Sequence, residues 1–345
     1  MTRLRDLVVV GGGPAGLATA LYAARAGLDV VVLEPRSGAV DKACGEGLMP
    51  GALSAVRSLA GDVEGVDIAG IAYLDASGRV ARARFRAGPG RGVRRTTLHE
   101  ALLGAVRAAG IPVLEQRGEA LTQDDDAVSV AGVRARYAVA ADGLHSGVRR
   151  SLGLDRPASG RAPARYGQRQ HFAVAPWTDL VEVHWSAHAE AYVTPVAPDQ
   201  VGVAVLTSRR ASYAEQLAWF PALRDRLDGA ELSSSVRGAG PLRQVASSVV
   251  AGRVLLVGDA AGYVDALTGE GIAVSLAAAR GAVGCLVAGR PQDYARVWRA
   301  ASRRYRWITG ALLVASRRPV LRAALVPAAR ALPPVFAAAV NQLAH

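Results

Sequence analysis

Residues 7–10 (LVVV) form an unbroken β-branched apolar run, the pattern of a strand buried on both faces. They lead straight into Gly11-Gly12-Gly13-Pro14-Ala15-Gly16. From Leu17 to Ala26 apolar residues recur at helical spacing, and Gly27 stands where a helix stops. A second buried-type strand, Val30-Val31-Val32-Leu33, ends on Glu34. Residues 66–86 alternate about Asp75-Ala76-Ser77-Gly78 and predict two strands joined by a tight turn. FAVAPW, LVEVHWS, AEAYVTPV and QVGVAVL, between 172 and 206, alternate in the same way and predict an antiparallel sheet. Helical spacing returns in 294–345, broken by Pro319, Pro327 and Pro333-Pro334, with arginine on the other faces.

The first 34 residues thus read strand, GxGxxG, helix, strand, terminal acid, the order of a dinucleotide-binding unit. Each part has a mechanical reason. Gly11 permits the tight turn, Gly13 admits a pyrophosphate close to the backbone, and Gly16 lets helix and strand pack together. Pro14 and Ala15 open a helix whose N-terminal N–H groups attract phosphate, and Glu34 is placed to accept from ribose hydroxyls. No second GxGxxG follows a strand, so no separate nicotinamide domain is expected; NAD(P)H binds transiently in the same cleft, or electrons come from a partner reductase.

Composition changes this picture little. The 345 residues are half hydrophobic, which excludes a disordered chain, and two cysteines, Cys44 and Cys285, are too few for a disulfide framework or a cysteine-based zinc site. No metal centre is expected, and the default location is cytoplasmic. The net charge of +12 comes from 41 basic residues, of which Lys42 is the only lysine. That skew reads as a background preference for arginine and weakens a nucleic-acid reading, for which no motif appears. Arg3 and Arg5 before the apolar 7–24 run superficially resemble a signal peptide, but the Gly-Gly-Gly-Pro inside it argues otherwise. The apolar run 308–316 is about half the length a bilayer requires. Residues 294–345 hold nine arginines and no acid, so the tail is expected to be either a helical cover on the nucleotide domain or a weak contact with anionic membrane.

Two later segments distinguish the nucleotide. Residues 137–150 (YAVAADGLHSGVRR) are a strand leading to Asp142-Gly143, and 254–272 (VLLVGDAAGYVDALTGEGI) are a strand leading to Gly258-Asp259 and a glycine-rich helix entry. With the N-terminal fingerprint these resemble the motifs of FAD-dependent hydroxylases related to para-hydroxybenzoate hydroxylase, and of geranylgeranyl reductases. The resemblance implies FAD, with Asp259 on a ribityl hydroxyl and Gly269-Glu270-Gly271-Ile272 aiming helix N–H groups at the flavin pyrimidine edge. Asp142 orders its own turn near the pyrophosphate or nicotinamide. Arg95, just before Thr96-Thr97-Leu98, matches a position where an Arg meets FAD. Ala266 stands where many relatives carry Pro. Asp41-Lys42-Ala43-Cys44-Gly45 is similar to the DKxCG segment of the geranylgeranyl reductases, in which the loop lies against the flavin and the Cys faces substrate; this makes Lys42 and Cys44 site candidates, a small buried side chain being the alternative for Cys44. Tyr192, Thr194 and Pro195 resemble the YxWxFP region but lack its Trp and Phe, which counts against a prenyl-chain substrate.

The expected architecture is α/β: a Rossmann-like FAD-binding domain from 1–65, 96–155 and 245–295, an inserted antiparallel β-sheet substrate domain from 66–95 and 156–244, and a helical C-terminal segment, 296–345. Either His184, Ser186 and His188 or Glu182, Trp185 and Tyr192 line the pocket. The expected function is an NAD(P)H-reduced FAD monooxygenase, in which oxygen added at the flavin C4a is passed to a small apolar or aromatic molecule. The alternative is a carbon–carbon double-bond reductase with Cys44 as proton donor. A halogenase lacks support, since no GWxWxIP motif is present, and three intact FAD motifs argue against a non-catalytic binder.

Overall fold

A computed structural model describes residues 3–118, 120–157 and 163–344, so 158–162 of the expected substrate domain and His345 of the tail lie outside the described residues. The first sheet is parallel at its centre, in the order Val254–Leu256, Val133–Ala140, Arg5–Val10, Val30–Leu33 and Val113–Leu114. Leu7 to Val10 pair with Val30 to Leu33, and the β-branched run is buried throughout, as a central strand covered on both faces requires. Helix α1 (Pro14–Arg25) follows Arg5–Val10 and the short α4 (Gly147–Ser151) follows Val133–Ala140, while α2 (Pro50–Ala60) and α3 (Arg95–Ala108) follow strands of a separate small sheet. Gly11 has φ +103°, and a side chain there would lie 2.5 Å from the Ala141 carbonyl oxygen; one at Gly16 would lie 1.8 Å from that of Gly11. The fingerprint glycines therefore permit the strand-to-helix turn to nest against the neighbouring strand.

The second large sheet runs Glu231–Leu232, Tyr166–Ala173, Gln200–Thr207, Ala189–Ala197, Leu180–Trp185, Gly70–Asp75 and Val80–Arg84. The 70–84 hairpin forms as expected, turning through Asp75, whose carboxylate accepts from Ser77 and Arg79. Two expectations are corrected. The sheet is not wholly antiparallel, because Leu180–Trp185 runs parallel to Gly70–Asp75. The strand expected to begin at Phe172 begins at Tyr166. Helices α5 (Tyr213–Leu217) and α6 (Pro221–Arg226) cover one face, packing Tyr213, Phe220 and Leu223 on Val193, Val201 and Val203. The period of two then turns Arg169, His171, Val183, Tyr192 and Thr194 to the opposite face, toward the first sheet.

The strands of the two large sheets fall within the ranges expected for each domain, but two small sheets straddle the limits. Gly47–Leu48 and Val66–Ile68 both pair with Gly90–Gly92, and Gln244–Ala246 pairs with Asp155–Arg156 and Gly262–Tyr263. Helix α7 (Gly271–Val287) packs on α1 and buries Cys285 as a small apolar residue. The tail begins at α8 (Tyr294–Arg317), which lies along α7 and anchors Tyr294 and Trp298 in the first core. Here the expected cover on the nucleotide domain is only half right. Helices α9 (Pro319–Ala331) and α10 (Pro333–Leu343) turn away and pack Val326, Phe336 and Val340 on Ile71, Ala81, Ala83 and Trp185 of the second sheet. The small alanines of that edge let the helices approach. A buried ion chain fastens the turn: Arg322 meets Glu190 at 2.6 Å, and Arg165 bridges Glu190 and Asp265 at 2.7 and 2.9 Å. No single helix among the described residues is long and apolar enough to cross a membrane.

Candidate active site between the two sheets

A cavity of about 990 Å³ lies between the sheets. Gly11, Gly13, Pro14, Ala15, Lys42, Cys44, Arg95, Asp142, Asp259, Gly269, Gly271 and Ile272, drawn from five separated stretches of chain, all line it. Four further candidates do not. Gly16 and Gly258 are packing positions, the latter because a side chain there would lie 2.8 Å from the Ala15 Cβ. Glu34 borders a neighbouring cavity of about 230 Å³, where its carboxylate accepts the Gly12 N–H at 2.8 Å and Arg36 at 2.7 and 2.9 Å. Burial pushes that carboxyl up, but Arg36 and the Gly12 amide overcome it and hold it below its ordinary value.

Glu270 keeps its place in the Gly269–Gly271 helix entry, but its side chain is buried away from the cavity lining, where burial drives its pKa up to about 7 against the opposing effects of Arg304 and Thr268. The sign follows from linkage: the folded state holds a proton that the unfolded chain, near 4.5, has released. This group therefore subtracts stability progressively as pH rises from 4.5 to 7, and the full penalty persists above 7. Glu270→Gln is expected to raise the melting temperature at pH 8, by the equivalent of about 2 kcal/mol, and to leave it unchanged at pH 4. Thermal unfolding at the two pH values checks this; equal shifts at both contradict it.

The remaining wall is cationic and poised for an anion. Arg95, the first residue of α3, is buried, and its Nη1 has no hydrogen-bond partner. Its Nη2 comes within 4.0 Å of the point where a Gly13 Cβ would stand, beside the open first turn of α1. Burial and nearby Arg36 depress the Lys42 ammonium, while Asp259 opposes this. Asp259 in turn is raised by burial and pulled down by Lys42 and Arg95. A buried guanidinium with an unsatisfied donor, facing a helix N-terminus across a side-chain-free glycine, fits the pyrophosphate of FAD, and Asp259 fits a polyol hydroxyl. Asp142 accepts from the Ser146 hydroxyl at 2.6 Å and the Val148 N–H at 3.1 Å, ordering its turn from the cavity rim.

Cys44 sits on a loop held from above. Glu46, at φ +58°, donates its own N–H to Cys44 Sγ at 3.4 Å, and its carboxylate accepts the Arg95 N–H at 2.8 Å. The other carboxylate oxygen meets His171 Nε2 at 2.6 Å, while Arg169 reaches Asp41 and the Lys42 carbonyl. Thr194 donates to the Gly45 carbonyl at 2.7 Å. Sequence reading missed Arg169, His171 and the role of Glu46; the one available signal was the alternation Gly167, Arg169, His171. Of the two proposed lining sets, Tyr192 lines the cavity and Trp185 shares its face, whereas Glu182 turns outward with His184, to which it hydrogen-bonds at 2.9 Å. Ser186 closes a turn with Ala189, and His188 packs on Trp219. The cavity also has an apolar wall, formed by Met49, Ile71, Val183, Leu267, Val340 and Leu343, most of which belong to the apolar cluster beneath α9 and α10.

The profile of the FAD binding domain family matches residues 92–287, and that of FAD dependent oxidoreductases matches residues 6–60. The chain belongs to the FAD-dependent oxidoreductase superfamily of para-hydroxybenzoate hydroxylase and the geranylgeranyl reductases. This flavoenzyme is 30% identical over 331 residues to menaquinone reductase of Mycobacterium tuberculosis, covering 85% of this chain and 78% of the relative. It is also 30% identical over 313 residues to digeranylgeranylglycerophospholipid reductase 2 of Methanopyrus kandleri, covering 80% and 75%. In fold it matches p-nitrophenol 4-monooxygenase from Pseudomonas putida, with a TM-score of 0.76 at 23% identity over 99% of this chain and 95% of that one.

Proposed function

We propose that this flavoenzyme reduces carbon–carbon double bonds in a long apolar, isoprenoid-type molecule, with Cys44 as proton donor. The observation that carries the reading is that this thiol lines one cavity together with Lys42 and the buried Arg95 and with the apolar Met49, Ile71, Val183 and Leu267. Both relatives quoted at 30% identity are named as reductases, whereas the monooxygenase likeness is one of fold alone. The replacement of Trp by Tyr192 and of Phe by Thr194 does not leave the chain-binding arm polar, because Tyr73, Met49 and the α10 residues furnish its walls.

FAD, when bound, supplies the hydride equivalent, and NAD(P)H is the donor we assign for recharging it. Gly13, Arg95 and the α1 N-terminus hold the diphosphate, and Asp259 holds the polyol. Burial pushes the Cys44 thiol up, Arg95 pulls it down and Glu46 raises it again, so the net direction keeps the S–H bond intact at neutral pH. Cys44 Sγ would give its proton to one carbon, the other taking the hydride that FAD would supply, so the substrate would gain two hydrogen atoms per bond, and Arg95 stands beside the thiolate that would remain. The apolar arm excludes water from these atoms.

Turnover in the absence of oxygen tests this. Enzyme reduced chemically under nitrogen is expected to convert menaquinone or a geranylgeranyl lipid to a product heavier by two hydrogens per bond. A strict requirement for oxygen, with product heavier by one oxygen atom, refutes the reductase reading and supports the oxygenase.

A further inference from the structure

Six of the ten exposed large apolar side chains among the described residues lie on the three C-terminal helices or, for Leu332, at the junction of the last two. Val314, Val320 (81% exposed) and Leu321 surround the α8–α9 turn, Leu332 and Val335 (62%) the α9–α10 turn, and Trp307 (75%) stands on α8. Arg303, Arg317, Arg318 and Arg330 are exposed among them, and no acidic residue occurs between 294 and 345. Exposed apolar residues in such a cluster mark a surface that something covers. A lone basic face would suit any polyanion and a lone apolar face any greasy partner; both together, with tryptophan, suit the boundary between headgroups and acyl chains.

We infer that the α8–α10 elbow is a docking surface for an anionic lipid bilayer. Helices α9 and α10 are together apolar enough for a bilayer crossing, but they bend by 104° at their junction, so they lie in the interface as an elbow instead of spanning it. The buried side of α10 continues the same path: Val340 and Leu343 line the apolar end of the active-site cavity. A single helix therefore separates acyl chains from the catalytic chamber, and a lipid-borne substrate passes between them without entering water. That last step rests on the reductase reading; the docking itself does not.

Flotation of the FAD-loaded protein with vesicles tests the inference without any substrate present. Binding is expected to mixed phosphatidylglycerol–phosphatidylcholine vesicles, to be at least about tenfold weaker with phosphatidylcholine alone, and to fall as salt rises. The double variant Leu321→Glu/Val335→Glu, both at exposed positions, is expected to lose at least about tenfold in partitioning while keeping its flavin content and melting temperature. Absence of wild-type binding, or equal binding by the variant, overturns the inference. So does a wild-type dimer that the variant converts to monomer, since a second copy then covers the elbow. Failure of the reductase reading leaves the flotation result standing, and reduction of detergent-dispersed substrate by a protein that does not float sinks only the docking.

Discussion

Gly13→Asp is expected to yield a colourless protein whose apo form melts at or slightly above the apo wild type. The two effects separate because of where Gly13 stands. It is the N-cap of α1 with an extended backbone and no side-chain capping bond, so an aspartate there improves the helix start. A Cβ meets nothing nearer than Arg95 Nη2 at 4.0 Å. The carboxylate then fills the space and takes the charge that the diphosphate needs. Two like charges about 4 Å apart in a partly buried site repel by about 4 kcal/mol, or about three orders of magnitude in affinity. Flavin absorbance after dialysis against excess FAD, with calorimetry of the apo forms, reads both quantities; retention of the yellow colour removes the diphosphate from this turn.

The second large effect is expected at Cys44. Cys44→Ser retains the shape of the loop and its contact with the Glu46 N–H but replaces the acid with one several units weaker, so turnover is expected to fall by about 100- to 1,000-fold. The flavin spectrum and KM are expected to stay within about twofold of wild type, because the diphosphate site and the apolar arm are untouched. A kcat near that of wild type eliminates the thiol as proton source. An accompanying loss of flavin assigns it to cofactor binding instead.

What could be read from the chain was what is local. The turn from Val10 to Gly16 needs its glycines within one strand-to-helix junction, and Asp142 and Asp259 sit only two and three residues past the ends of their own strands. At the second helix entry the motif marked the backbone, and Gly269 and Gly271 line the cavity, but it carried no information on the Glu270 side chain between them, which does not. The strand Tyr166–Ala173 was hidden by polarity on both faces: Arg169 and His171 bind the Asp41–Glu46 loop, while Gln170 reaches the Ser234 carbonyl. The Glu46–His171 contact joins residues 125 positions apart, and no periodicity carries that information. Alternation is also identical in parallel and antiparallel strands, which left the 180–185 to 70–75 pairing open. The tail showed its apolar stripe but not the Ala81 and Ala83 edge that receives it.

The parallel sheet carries one more consequence, for biogenesis. Arg5–Val10 finds its outer partner only at Val133–Ala140, and that strand finds its own only at Val254–Leu256. A ribosome must therefore release most of the polypeptide before the nucleotide chamber has a complete wall, and until then apolar strand edges stand open.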